Sequence, residues 1–328
     1  MTAKRPQPPP ESATPANDAP PAMHWAHQRE RSAAPVVRFM AWLSITLGRR
    51  LSRVLVYGIA AYFFAFAPKA RAASRAYLRR VLNRPITARD GYRHVLSFAS
   101  CIHDRVYWLR GHHDLFDVEI QGVEHVLAAC QPPANDDGTP ARGQGVVFVG
   151  AHLGSFEALR MLGETHGLKV RMLMYPDNAQ KINAVLAAIN PSLQDSVIAL
   201  GRADSLLTVR DCLQRGECVG ALADRQLKQE PGVVFDFLGS KASFPEGPFR
   251  MAALLKTRVV FMAGLYLGSN RYRIEFLPVA DFSDTPPAAR AQAIEAAQTQ
   301  YVRQLEAVCR RAPMNWFNFY DFWHEEPH

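Results

Sequence analysis

The stretch GVVFVGAHLGSFE, residues 145–157, runs four apolar residues into a glycine and then a histidine. A short apolar run closed by glycine is typical of a strand buried inside a sheet. Gly154 and Ser155 supply a turn and an N-cap for a following helix, so we expect His152 in the loop and Glu157 in the first helical turn. The stretch therefore predicts a strand–turn–helix unit that presents an ionisable side chain at the end of the strand.

Strand-like and helix-like patterns alternate on either side of this stretch. The strand-like segments are 116–122, 146–150, 169–175, 196–200 and 218–224, and the helical segments are 123–130, 155–167, 178–190 and 204–216. Further on, residues 244–257 are predicted to open a helix, 259–267 and 271–279 to form two strands joined by a turn, and 288–311 to form a long amphipathic helix. Because connections this short are typical of β-α-β units, we predict an α/β fold with a largely parallel central sheet flanked by helices.

Composition divides the chain into three parts. Residues 1–30 are rich in proline and alanine with almost no larger aliphatic side chain, which predicts a disordered tail without the apolar core of a signal peptide. Residues 31–110 are basic and helical, and residues 111–328 carry the alternating pattern; we expect 31–328 to form one structural unit. The five cysteines are widely spaced and include no C-x-x-C pair, which argues against disulfides and a metal site and favours a reducing cytoplasmic setting.

The positive charge of the chain is concentrated near its N-terminus. The formal net charge is +8, and residues 31–110 contain fifteen Arg or Lys against two acids. Apolar runs at 36–47 and 54–67 lie among these charges. A helix of the length of the second run covers roughly 21 Å, short of the ~30 Å hydrocarbon core of a bilayer. We therefore expect a basic, interfacial or re-entrant membrane anchor; the alternative is a buried pair of core helices with a solvated basic rim.

The spacing of His152 and Glu157 predicts a general-base pair. Two helical residues five apart are rotated by about 140°, so the two side chains meet only if His152 precedes the helix. A carboxylate on one imidazole nitrogen fixes the tautomer and leaves the other nitrogen to take a proton. Such a pair suits a substrate that brings its own hydroxyl and attacks an activated acyl carbonyl. The alternative is a core histidine that is only hydrogen-bonded.

Several segments together resemble one protein family. The His-x4-Glu motif after an apolar strand, the segment GRADSLLTVRDCLQRGECVGALADRQ (201–226) and the segment FDFLGSKASFPEGPFRMAAL (235–254) stand in the order found in the bacterial lipid A biosynthesis acyltransferases. That family belongs to the lysophospholipid acyltransferase superfamily, and the likeness covers about residues 40–280. The motif alone is weak, because His112 and Asp117 have the same spacing.

The resemblance implies a role for each matching residue. His152 is the expected base, Glu157 its partner, and Arg202 the residue that stabilises the oxyanion or binds an acceptor phosphate. Three weaker candidates are expected to support the pocket or contact a polar head group: Asp224, Glu246 and Arg250. The implied reaction moves a fatty acyl chain from an acyl carrier protein or CoA thioester to a membrane lipid such as a lipid A precursor. It implies no cofactor or metal, and a location on the cytoplasmic face of the inner membrane.

One departure from the family keeps the acceptor open. The C-terminal sequence MNWFNFYDFWHEEPH, residues 314–328, is aromatic and acidic where the family tends to carry an Arg-Arg-Phe segment. It either lines a head-group pocket or packs the final helix onto the sheet. Alternative acceptors are an ornithine lipid, a glycerophospholipid or a polyene lipid. A nucleic-acid-binding protein is the alternative of another class, but no helix-turn-helix, zinc-finger or P-loop pattern is present.

Overall fold

The computed structural model describes residues 34–130, 144–174, 197–201, 204–225 and 232–323. Within these residues the helices are α1 (Ala34–Phe66), α2 (Pro68–Leu82), α3 (Ala88–Leu109), α4 (Glu124–Cys130), α5 (Arg160–His166), α6 (Ser205–Gln214), α7 (Gly247–Leu254) and α8 (Arg290–Arg311). The strands are β1 (Asp117–Gln121), β2 (Val147–Gly154), β3 (Val170–Met174), β4 (Val197–Ala199), β5 (Cys218–Leu222), β6 (Gly232–Phe237), β7 (Ser240–Pro245), β8 (Arg258–Gly268) and β9 (Arg271–Asp281). A 3-10 helix, Phe156–Leu159, follows β2.

Seven strands form the central sheet in the order β1-β9-β8-β2-β5-β3-β4. The five strands from β8 to β4 are parallel, and β9 turns back antiparallel to β8 through a tight hairpin. The strand β1 then pairs parallel with β9. The predicted α/β fold with a largely parallel sheet is confirmed, because most predicted strands and helices lie where the periodicity placed them.

Helices cover both faces of this sheet. One face packs α2, α6, α7 and α8 against a core that includes Val149, Phe261 and Tyr301. The other face packs α3, α4 and α5 around Phe148 and Trp108. Parallel strands must be buried on both sides in this way, which is why β2 is apolar at every position from Val147 to Val149 rather than alternating.

Three details differ from the sequence expectations or lie outside the described residues. The strand β2 does not end at Gly150 but runs to Gly154, so that His152 lies in the strand and not in a loop. The reason is that the segment Asn315–Phe317 pairs alongside the end of β2 and extends it. The antiparallel hairpin of β6 and β7 was not predicted. The tail 1–30 and the predicted helix 178–190 lie outside the described residues.

A buried polar network attaches α1 to the rest of the fold. Arg49 forms two hydrogen bonds of 2.8 Å with the Asp104 carboxylate of α3, and the Tyr272 hydroxyl of β9 donates to the same carboxylate at 2.9 Å. Ser52 contacts the His103 imidazole at 2.7 Å. The buried Asp104 carboxylate of α3 accepts hydrogen bonds from α1 and from β9. These polar contacts, together with packing, hold α1 to α3 and β9.

Much apolar surface stays exposed along α1. The side chains of Leu51, Val54 and Phe66 are 63%, 67% and 64% exposed. Together with Leu47, Leu55, Tyr57, Tyr62 and Phe63, they form what we call the α1 apolar surface. Gly48 has non-helical φ and ψ angles and kinks α1 near its middle. No single helix of the described residues is long and apolar enough to cross a bilayer; residues Thr46–Phe66 meet that criterion only jointly with α2, at a bend of 94°.

Candidate active site

His152 lies near the carboxyl end of β2, at the edge where the parallel strands of the sheet end. The carbonyl of His152 accepts a hydrogen bond of 2.7 Å from the Phe317 N–H, and the Gly154 N–H donates to Asn315 at 2.9 Å. Gly154 has a φ of 55°, and a Cβ at this position would lie 2.0 Å from the Gly264 carbonyl oxygen. A glycine is therefore required at the turn, and the backbone that carries His152 is fixed from both sides.

The carboxylate that contacts His152 is Asp224, just beyond the end of β5. The strand register pairs Gly150 with Leu222, so the residues two positions further on lie side by side. His152 Nδ1 is 2.8 Å from Asp224 Oδ1, and the His152 backbone N–H donates to Oδ2 at 3.0 Å. The Trp316 indole N–H donates to the same oxygen at 2.9 Å. Asp224 is completely buried, and it contacts the imidazole at Nδ1.

The pKa values of both His152 and Asp224 are lower than usual. Burial by itself raises the pKa of Asp224, but the charge and hydrogen bonds of His152 outweigh it and lower the pKa to about 2. Burial, and then the positive charge of Arg225, lower the pKa of His152 against the opposing effect of Asp224. At neutral pH the pair is therefore a carboxylate and a neutral imidazole.

This geometry selects one imidazole tautomer. A carboxylate can only accept, so Nδ1 carries the proton and Nε2 holds the lone pair. None of the described residues forms a hydrogen bond with Nε2. The His152 side chain keeps 30% of its accessible surface, although most of the ring lies below the protein surface. The site can therefore remove a proton from a group that approaches Nε2.

Glu157 does not supply the carboxylate of this pair. It lies in the 3-10 helix after β2, mostly buried, and forms an ion pair of 2.5 Å with Arg105 Nε of α3. The two atoms are close but not aligned as a hydrogen bond, since Arg105 Nε has no hydrogen-bond partner. The contact expected between His152 and Glu157 is thus corrected: the extended β2 turns His152 toward the neighbouring strand β5 and leaves Glu157 facing α3.

Aromatic side chains of α3 and the C-terminal segment pack on Phe317, whose backbone N–H donates to the His152 carbonyl. The Phe98 ring lies 5.2 Å from that of Phe317 and 5.3 Å from that of Phe319. Phe98 is 36% exposed, and Ile102, one helical turn further along α3, is 48% exposed. An apolar strip therefore leads from the residue that hydrogen-bonds the His152 backbone to the surface of α3.

A comparison with known families bears on this site. The family model described as bacterial lipid A biosynthesis acyltransferase matches residues 117–325, which is more than half of the chain. The chain belongs to this family. It is therefore an acyltransferase, and the His152–Asp224 pair lies within the matched region. No curated protein matches the chain.

The other residues that the resemblance suggested for this acyltransferase are Arg202, Glu246, Arg250 and Asp224. Arg202 lies outside the described residues. Glu246 and Arg250 form a surface ion pair of 2.9 Å at the start of α7, and the Arg250 side chain is 69% exposed. In the described part of the chain, Glu246 and Arg250 pair with each other, and neither forms an ion pair with His152. Asp224, which was expected to support the pocket or contact a head group, has no accessible surface, and its hydrogen bonds join it to His152 and Trp316.

Sequence reasoning missed three residues of the acyltransferase site. The aromatic segment 314–328 was expected either to line a head-group pocket or to pack the final helix; its Trp316 is buried against Tyr77 and Phe237, and the indole N–H donates to Asp224. Arg105 was seen only as part of the basic N-terminal region, although it holds Glu157. Arg225 was not singled out, although it directly follows Asp224. The one available indication was the position of Asp224 and Arg225 at a strand end, because parallel strands end at the same edge of a sheet.

Among the described residues, no group of His, Cys, Asp and Glu could hold a metal ion.

Proposed function

We propose that the protein transfers a fatty acyl chain from an acyl thioester to a hydroxyl group of a membrane lipid, with His152 as the general base. The observation that carries the proposal is the pair of His152 and buried Asp224 at the end of the sheet, in which no described residue forms a hydrogen bond with Nε2. Membership of the acyltransferase family supports the class of reaction.

The proposed reaction needs only the two substrates and His152, which carries the proton from one to the other. Nε2 removes the proton of the acceptor hydroxyl while its oxygen attacks the thioester carbonyl carbon. The negative charge moves to the carbonyl oxygen, and the imidazolium is stabilised by Asp224. When the tetrahedral intermediate collapses, the carbon–sulfur bond breaks and the thiolate takes the proton from Nε2. The products are an ester and a free thiol, and His152 is again neutral, so no cofactor or metal takes part.

The surroundings of the site support a lipid substrate. Phe98, Ile102 and Phe319 offer apolar surface around Phe317, whose N–H donates to the His152 carbonyl, and we propose that the acyl chain of the thioester lies on this surface. The donor is proposed to be an acyl carrier protein or CoA, and an acidic carrier would dock on the basic N-terminal helices. The acceptor proposed first is a lipid A precursor. Ornithine lipids, glycerophospholipids and polyene lipids are the alternatives for the same site.

We also propose that the enzyme works on the cytoplasmic face of the inner membrane. The α1 apolar surface is accompanied by the exposed basic residues Arg50, Lys69, Arg71 and Arg75. Apolar side chains of this kind insert at the boundary of head groups and acyl chains, and each basic residue near an anionic surface adds on the order of 1 kcal/mol. A lipid acceptor would then reach the site without leaving the bilayer surface.

The acceptor and the donor are identified by direct assay. Purified protein is incubated with a total lipid extract and either acyl carrier protein or CoA that carries the same acyl chain, and new acylated lipids are detected by mass spectrometry. We expect one lipid class to gain the mass of the fatty acid minus one water molecule. A gain in ornithine lipid or phospholipid would replace lipid A as the acceptor, and release of free fatty acid alone, with every lipid unchanged, would contradict the proposed transfer.

Membrane attachment is tested with a paired substitution on α1. Leu51→Ser with Val54→Ser removes apolar area that is already exposed, so folding should be retained, while binding to vesicles rich in anionic phosphatidylglycerol should weaken about tenfold or more. Binding of the parent protein should also fall with rising salt. Co-sedimentation measures both effects. The matched control is Val234→Ser on β6, which is 60% exposed; equal loss in the control, or no loss on α1, would refute the attachment by α1.

A further inference from the structure

Arg225 is held beside the catalytic histidine by the C-terminal segment. Its Nη2 donates to the Phe317 carbonyl at 3.1 Å, and its guanidinium carbon lies 5.3 Å from the centre of the Tyr320 ring. The N–H of the same Phe317 donates to the His152 carbonyl. Arg225 also directly follows Asp224 in the chain. Two short paths therefore join Arg225 to His152, one through Asp224 and one through the Phe317 backbone.

Arg225 differs from two other arginines of the fold in the groups that it contacts. Arg49 and Arg105 each pair with a buried carboxylate, whereas Arg225 forms no salt bridge with any carboxylate in the described part of the chain. Its Nε is buried and has no hydrogen-bond partner among the described residues. In the described part of the chain the Arg225 guanidinium is therefore held by a carbonyl oxygen and an aromatic ring, so its positive charge is not offset by a paired carboxylate there.

We propose that Arg225 is a positioning residue for the general base: its positive charge keeps the His152 imidazole neutral, and so able to accept a proton, at near-neutral pH. This inference rests on the proposed role of His152 as the base. It assigns to Arg225 a task that is separate from that of Asp224, which holds the ring in one tautomer. The two charges act in opposite directions on the same imidazole.

The other ionisable groups near His152 do not replace this charge. Arg105 is paired with Glu157. His94 of α3 reaches the other side of the C-terminal segment, where it bonds the Trp316 carbonyl, and burial lowers its pKa to about 4, so it is neutral. Tyr301, which donates to the Gly150 carbonyl, and Tyr320, which lies against Arg225, are neutral because burial raises their pKa values. Burial lowers the pKa of His152 most, and the positive charge of Arg225 is the next cause that lowers it.

The protonation state of His152 can be followed without any substrate. Diethyl pyrocarbonate modifies only neutral imidazole, so the rate of modification against pH, read by mass spectrometry of the peptide that contains His152, reports its titration. We expect Arg225→Gln to move the midpoint upward by about 0.5–1 pH unit, because a neighbouring positive charge is lost. Arg225→Lys keeps the charge and should keep the midpoint. Exposed His112, measured in the same digest, should not change.

The outcomes separate the inference from the proposed function. An unchanged midpoint in Arg225→Gln, or an equal shift in Arg225→Lys, would overturn the role of Arg225 and indicate that it only supports the C-terminal segment. If the midpoint moves, the pH profile of acyl transfer should move with it. If the profile stays where it was, the effect of Arg225 on His152 stands and the assignment of His152 as the base falls. Thermal unfolding of each variant shows that the comparison is between folded proteins.

Discussion

Replacement of His152 by asparagine should lower the turnover number for acyl transfer by about 10²- to 10⁴-fold, the usual contribution of a positioned general base. The asparagine amide N–H can still donate to Asp224 Oδ1, where the imidazole Nδ1 donates now at 2.8 Å. The buried carboxylate therefore keeps a partner, and the fold should be retained. The variant lacks only the nitrogen that accepts the proton, so the loss should appear in kcat measured with saturating thioester.

The chain contains its own control for this substitution. His112 and Asp117 repeat the spacing of His152 and Glu157, but both lie on the surface, away from the end of β2. His112→Asn should leave turnover and thermal stability unchanged. Near-normal turnover of His152→Asn, with folding verified by circular dichroism, would show that another group removes the proton.

Replacement of Asp224 by asparagine should cause a loss of similar size by a different route. Asp224 Oδ2 accepts from the His152 backbone and from Trp316, and an amide oxygen at that place can accept both. The amide nitrogen then faces Nδ1 as a donor, which forces the imidazole proton onto Nε2. The wrong tautomer cannot act as a base, so we expect kcat to fall by about 10²- to 10⁴-fold while the protein stays folded.

Glu157→Gln is the matched comparison, because it makes the same chemical change in the other carboxylate near the site. It removes the charge that faces Arg105, an ion pair whose Glu157 side chain is 10% exposed. We expect a stability loss of about 1 kcal/mol or somewhat more, and less than a tenfold change in kcat. The two variants are compared by steady-state kinetics and thermal unfolding. A loss in Glu157→Gln as large as in Asp224→Asn would mean that catalysis needs both carboxylates.

Local patterns were enough to predict most of the sheet and to single out His152 at the end of a buried strand. The run of apolar residues before Gly150 marks β2 because a strand between parallel neighbours has no face in water. The alternation of strand-like and helix-like segments predicted β3, β4, β5, β8 and β9. It also predicted the helices that alternate with them. His152 stood out because an ionisable residue directly after such a run lies at the edge of the sheet. These inferences need only residue order, since periodicity and turns are properties of neighbouring residues.

The partner of His152 could not be chosen in this way. Glu157 is five residues away in the chain and Asp224 is 72 residues away, so local geometry favoured the wrong carboxylate. The choice depends on the register of β2 with β5, and a shift of one residue would turn Asp224 to the other side of the sheet. The pairing of Asn315–Phe317 along β2 likewise depends on where α8 ends after it crosses the sheet.

The sequence by itself therefore determined the α/β architecture, the strand that carries His152 and the resemblance to the acyltransferase family. Only the tertiary structure decided that Asp224 orients His152, that Trp316 holds Asp224, and that Arg225 lies beside them. The reason is physical: strand and helix formation follow from short-range periodicity and burial, whereas hydrogen bonds between residues from β2, β5 and the C-terminal segment exist only after the register of the whole sheet is set.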